Sequence, residues 1–403
     1  MSRVNHSLGK RGLPSRSLCL PIGLCPRART SVTRSGGALR SVLMLSLLVW
    51  LTPLSRGAER SDVMRGNILI GEHTRSTAVA DVTVFKTYGR DRRLDFVTIV
   101  PASDDEVWHA LTTVEGIQSF YAPKATIELR PGGAYEIRED PSAPLPKGVE
   151  GTKVLSFVPK EMLSVTGSAP FPFPTVQEKK TRWVFLLDHV KGGTRVQLSM
   201  IEWPVGDEWD EAFDYFADHN QALLEALFKR FAEGPVDWKA KGIRVSRPVE
   251  THRDPNEKLW RVDKSVLVEG RPDTIWPQFT TSDGLIRWAS PGANVELRFG
   301  GVYERLSNPT APKGRRGQEG THILCYVPQE LLSYSWLAPI QFPEVRKGPA
   351  WETWRFTQPS PGWVRIHYTA IGIGAGKQWQ DAFNLLDRRM DVMMGNLRAY
   401  LTK

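Results

Sequence analysis

Cysteine is scarce in this chain of 403 residues, with three in all, and two of them, Cys19 and Cys25, fall within the first 58 positions. The body keeps Cys325 alone, which excludes an intramolecular disulfide framework and a thiolate metal site there. Set in the apolar run ILCYV, Cys325 reads as a small core residue. Histidines are scattered, without HxH or HExxH spacing, so no zinc centre is expected; a G-x-S-x-G elbow is missing too. Net charge is also lacking once its position is considered. The formal charge is +9, but the first 58 residues hold nine basic residues and no Asp or Glu, leaving 44 basic against 44 acidic in the rest. A neutral body removes the case for a nucleic-acid partner. Long hydrophobic runs are missing as well. The longest, Ser41 to Leu51, falls short of the roughly 20 residues a membrane-spanning helix needs.

That run follows a basic stretch and precedes Pro53 and small residues from Ser55 to Ala58, the layout of an export signal. Residues 1–58 are read as a targeting segment cleaved near Gly57 or Ala58, and the mature protein as exported, periplasmic or extracellular, with no stable membrane span after cleavage. The rivals are an uncleaved anchor and an organellar transit peptide.

What the sequence does have is a repeat. Asp95–Arg138 aligns without a gap on Asp263–Leu306 at a constant separation of 168 positions, matching Trp108 with Trp276, Gly116 with Gly284, and Glu128 to Arg130 with Glu296 to Arg298. Further on, FVPKEMLS (157–164) faces YVPQELLS (326–333), Trp183 and Phe185 face Trp354 and Phe356, and WDEAF (209–213) faces WQDAF (379–383). Each copy reads as an alternating strand, two short helices opened by a cap such as Ser103, a hairpin TIELRPGGAYEIRE, further strands and one long amphipathic helix, about Asp207 to Phe231 in the first copy. Gly132 and Gly133 are read as the positive-φ residues of the hairpin. The boundaries are 59–92 for an N-terminal extension, 93–233 for domain 1, 234–259 for a charged, proline-containing linker and 260–403 for domain 2.

With Trp108 in the first helix, the Pro-Gly-Gly turn, Val158-Pro159 and Gly193-Thr194, this pattern resembles the SRPBCC (START-like, helix-grip) superfamily and, within it, the activator-of-heat-shock-protein-90-ATPase homologues (AHSA-like). The resemblance covers both copies. It departs at Phe299, where the first copy has Pro131, and at Trp363 in place of the Gly-Thr sequence. It implies an α+β fold of two tandem helix-grip domains, each a curved antiparallel sheet wrapped around a long C-terminal helix, with a cavity for an apolar molecule. The family has no invariant catalytic set to carry over, and no cofactor is implied.

Aromatics are abundant, with 14 Trp, and such side chains line apolar pockets as readily as cores. The pocket residues proposed from sequence are Tyr121, Tyr135, Trp183, Trp203, Trp288, Tyr303, Trp336 and Trp354; catalytic residues are not identified and no metal is expected. GIGAGK (372–377) superficially resembles a phosphate loop but lacks the Walker spacing, and reads as a flexible loop. Asp207 to Asp218 reads as acids complementing a helix start, and Lys313 to Gly317 as a solvated hairpin tip. The expected function is binding of an apolar small molecule or lipid. The alternatives are an enzyme acting on a hydrophobic substrate in the cavity and a co-chaperone-like protein-interaction module acting in the cytosol. Oligomeric state is left open.

Overall fold

The computed structural model describes residues 80–89, 92–139, 151–170, 172–245 and 256–402. Residues 1–58, read from sequence as a targeting segment cleaved near Gly57 or Ala58, lie outside them.

In the first repeat β1 (Thr83–Thr87) and β2 (Arg93–Val100) lead into α1 (Asp104–Thr112) and α2 (Val114–Gln118). Ser103 starts α1 with a reciprocal capping box: its hydroxyl accepts from the Glu106 N–H, and the Glu106 carboxylate accepts from the Ser103 N–H. The hairpin β3 (Lys124–Ile127) and β4 (Tyr135–Arg138) follows, then β5 (Val154–Val158), β6 (Met162–Gly167), α3 (Pro174–Lys179), β7 (Thr181–Val190), β8 (Gly193–Ile201), α4 (Asp207–His219) and α5 (Gln221–Ala232). The strands form an antiparallel sheet in the order β1-β2-β8-β7-β6-β5, beside the β3-β4 pair.

The second repeat runs β9 (Lys258–Glu269), α6 (Pro272–Ile275), α7 (Pro277–Thr280), α8 (Ser282–Trp288), β10 (Gly292–Val295), β11 (Tyr303–Leu306), β12 (Ile323–Val327), β13 (Leu331–Ser335), α9 (Pro343–Lys347), β14 (Ala350–Ser360), β15 (Trp363–Gly374) and α10 (Lys377–Leu401). Its sheet order is β12-β13-β14-β15-β9, beside the β10-β11 pair. Each repeat is thus a helix-grip domain, and its helices bury Trp209, Phe213 and Phe216 in the first copy and Trp379, Phe383 and Met390 in the second. Among the described residues no helix is long and apolar enough to cross a membrane.

Three details differ from the sequence reading. The closing helix of the first repeat is divided at Asn220, whose side chain turns to the Met200 sulfur at 3.1 Å, whereas α10 is continuous over 25 residues. Gly132 alone of its pair has positive φ (78°); Gly133 is required because a Cβ there would lie 2.3 Å from the Glu128 carbonyl oxygen. Two of the three glycines of GIGAGK are packing residues in a strand, not part of a flexible loop, while Gly376 holds a positive φ of 94° with open space around it. Gly372 and Gly374 are in β15, and a Cβ on Gly374 would lie 2.0 Å from the Trp379 ring. Gly374→Ala is therefore expected to cost about 1–3 kcal/mol through overpacking, measured as a shift in the urea midpoint.

The two sheets meet through a separate apolar cluster that takes Val158, Met162, Val184 and Leu186 from the first repeat and Cys325, Val327 and Leu331 from the second. Equivalent residues cross the junction reciprocally. Arg93 binds Glu330 at 2.9 Å, and Arg261 binds Glu161. Ser156 meets its own counterpart, Cys325, at 3.5 Å. The repeats therefore pair as the halves of an isologous dimer would. Cys325 is core, as read, but core between repeats, and burial pushes its thiol up to about 11.

Candidate functional site

The strand ladders fix which residues of the two repeats are equivalent. Val165 pairs with Trp183 and Trp183 with Met200; in the second repeat Tyr334 pairs with Glu352 and Glu352 with Ala370. Trp183 therefore corresponds to Glu352, and Phe185 to Trp354, two residues away from the alignment drawn from sequence. A slip of two keeps every side chain on its own face, so the alternation pattern could not reveal it.

The correction exposes the main difference between the repeats. In the first, Trp183 is buried over Gly167, against Phe216. In the second, Trp336 stands where Gly167 does, Glu352 replaces Trp183, and Arg305 replaces Ile137 on the hairpin strand. Glu352 is fully buried and paired with the Arg305 guanidinium, and its Oε2 also accepts from the Tyr334 hydroxyl at 2.6 Å. Trp354 donates to the Tyr334 oxygen at 2.7 Å, Tyr303 stacks on Tyr334 at 4.0 Å, and the Tyr368 hydroxyl faces the same carboxylate. Burial, the largest single influence, would lower the Arg305 pKa; the Glu352 charge and the surrounding Tyr334, Tyr303 and Tyr368 together outweigh it, so the net shift is upward. Burial, foremost, holds the Tyr334 and Tyr368 hydroxyls well above their usual range, so both stay protonated.

Above this polar floor the second repeat holds a cavity of about 340 Å³. Trp336, Ile340, Ala382, Leu386, Met390 and Met393 form an apolar wall, while Arg315, Arg346 and Arg389 stand around it. Among the described residues neither Arg315 nor Arg389 has an ion-pair partner. Gly314, Arg315 and Gly317 line the cavity, so the basic loop read as a solvated hairpin tip is part of its wall.

The proposed pocket residues are distributed as follows. Trp336 lines this cavity, and Trp203 lines a second opening between the repeats. Tyr135 and Tyr303 are buried and donate to the Leu111 and Phe279 carbonyls. Trp183 donates to Thr181, Trp288 to the Gln278 carbonyl, Trp354 to Tyr334 and Tyr121 to Glu139. Three of the acids of α4 have partners: Glu208 accepts from the Thr175 and Val176 N–H groups at the start of α3, Asp210 pairs with Arg92 and Asp214 with Lys86. Sequence reasoning missed Arg305, Glu352, Tyr334 and Arg389. Arg305 carried a usable signal, since the gapless alignment sets it against Ile137 on the inward side of an alternating strand.

Residues 101–232 match the model of the family described as Activator of Hsp90 ATPase homolog 1-like protein. The first repeat belongs to that family. Members of the AHSA1-like family are in general ligand-binding domains, and the duplication gives the second repeat the same fold. A search of curated proteins finds no match. Among solved structures, a protein from Mesorhizobium loti is 18% identical over 34% of this chain and 95% of that one, with a TM-score of 0.29. The Aha1 dimer from Colwellia psychrerythraea is 19% identical over 35% and 97%, with a TM-score of 0.28. The di-domain ARO/CYC StfQ from the steffimycin biosynthetic pathway is 13% identical over 76% and 96%, with a TM-score of 0.30.

Proposed function

We propose that this chain is an exported carrier whose second repeat binds one amphipathic, lipid-like molecule, while the first repeat is its filled, structural partner. The observation that carries the reading is the 340 Å³ cavity with an apolar wall and arginines beside it, in the repeat that lacks the Trp183 plug. An apolar chain gains about 0.8 kcal/mol per CH₂ removed from water. Trp336, Leu386 and Met390 supply the surface for it, and Arg315, Arg346 and Arg389 suit an anionic end. The basic and apolar order of residues 1–58 supports export, and N-terminal sequencing of the mature protein tests it.

Laurate is the probe. Isothermal titration is expected to show one molecule bound per chain. Ala382→Trp, which fills the cavity, should weaken binding by more than about tenfold, the loss of two or three methylene contacts. Dodecanol should bind more weakly than laurate. Equal laurate binding by the wild-type protein and a folded Ala382→Trp variant would sink the reading.

The buried Arg305, Glu352 and Tyr334 group favours a second reading, an enzyme that orients a hydrophobic substrate in the same cavity. Turnover of a bound molecule that is lost in Tyr334→Phe, with binding retained, would support it.

A further inference from the structure

The junction between the repeats is not symmetric throughout, and its two ends are filled differently. Phe157 pairs with Leu163, and Tyr326 with Leu332; Arg182 pairs with Thr166, and Trp351 with Ser335. Phe157 and Tyr326 are therefore equivalent, as are Arg182 and Trp351. At one end of the junction Trp351 is completely buried, packs against Phe157 with ring centroids 4.9 Å apart and the planes tilted by 59°, and donates its indole N–H to the Phe157 carbonyl at 2.7 Å. At the other end Arg182 and Tyr326 take the same positions, and between them and Trp203 an opening of about 390 Å³ remains.

The charge of this opening is one-sided in a body that is neutral. Arg92, Arg93, Arg182, Arg298, Lys179 and Lys180 line it, with Glu202 as the carboxylate. Arg92, Arg93 and Arg298 have close carboxylate partners in Asp210, Asp95 and Glu296. Arg182 does not: Glu202 lies 3.9 Å from its Nε, and the other Glu202 oxygen accepts from the Phe299 N–H. The guanidinium lies 3.8 Å over the Phe299 ring, and its Nε is buried without a hydrogen-bond acceptor. Burial lowers the Arg182 pKa and raises that of Glu202, as expected of charges that compensate each other incompletely.

The backbone at this end is also special. Lys180 and Glu202 both hold positive φ, 62° and 59°, a conformation costly for side-chain-bearing residues and concentrated at ligand sites. By ladder register the second repeat has Pro349 and Gly372 at those positions.

We propose that this inter-repeat cleft is a second ligand site, separate from the helix-grip cavity, and that it takes a small aromatic oxyanion. The anionic group balances the Arg182 charge that Glu202 compensates incompletely, Lys179 and Lys180 add charge at the rim, and the ring lies among Trp203, Phe299 and Tyr326. Pockets at domain junctions commonly combine apolar walls with a few such polar groups.

The test uses 1-naphthyl phosphate and the neutral 1-naphthol, titrated calorimetrically into the full chain in an Ala382→Trp background, so that the helix-grip cavity contributes nothing. Naphthyl phosphate is expected to bind once, more weakly as salt rises, and naphthol to bind poorly. Arg182→Trp, which copies the filled end, should abolish binding. Lys179→Glu changes an exposed residue, keeps the fold, and should weaken binding several-fold; Arg182→Met should weaken it by about tenfold or more. Absence of naphthyl phosphate binding, equal binding of naphthol, or binding unaffected by Lys179→Glu and by whichever Arg182 variants fold would overturn the proposal. Laurate binding to a chain without the Ala382 substitution is a separate result and does not depend on these outcomes.

Discussion

Replacing Arg305 with Met is expected to destabilise the folded chain by about 3–5 kcal/mol, because it strands a fully buried Glu352 carboxylate with no cation. The Tyr334 hydroxyl still donates to that carboxylate, but one hydrogen bond does not replace the guanidinium charge. The double variant Arg305→Ile/Glu352→Leu should recover most of the loss, since a buried pair exchanged for apolar side chains of similar size is often neutral. The urea midpoints of wild type, single and double variants measure this. A loss below about 0.5 kcal/mol for the single variant would mean that water reaches Glu352 and that the cavity floor is not closed.

The second large effect is expected at the junction. Trp351→Ala removes a completely buried indole and leaves the Phe157 carbonyl without its donor, for an expected cost of about 3–5 kcal/mol. Trp351 sits on β14 of the second repeat but packs within the core of the first, so both repeats should lose stability together. Near-ultraviolet circular dichroism and tryptophan fluorescence should then unfold at a lower urea concentration in a single coincident transition. Two separated transitions would show that the junction couples the repeats weakly.

The tandem architecture was legible in sequence because equivalent glycines and tryptophans carry geometry. Gly116 and Gly284 permit helix α1 or α7 to approach, and a Cβ at either would lie 2.2–2.3 Å from a carbonyl oxygen. The succession of strands from β2 to β8 along the chain followed from alternation, whereas the pairing of β2 with β8 in the sheet is not encoded by it. The division of the first closing helix was hidden, because Asn220 remains in the right-handed helical region and no Pro or Gly marks the site. The site was less legible. Trp336 was proposed for its lack of a counterpart in the first repeat, and it lines the cavity. Glu352 was concealed by the two-residue slip, which kept the aromatic pattern WxF aligned with itself. The pairing of one sheet with the other, and hence the open end at Arg182, depends on contacts between strands some 170 positions apart that periodicity does not encode.

On the proposed function, the second repeat is open to a ligand and the first is filled. Methionine methyl NMR tests it directly, because Met390 and Met393 line the cavity while Met162 and Met200 are buried in the first repeat's sheet. On titration with laurate, the Met390 and Met393 resonances should shift and saturate together, with Met162 and Met200 unmoved. Shifts at Met200, or no shift at Met390, would contradict the account.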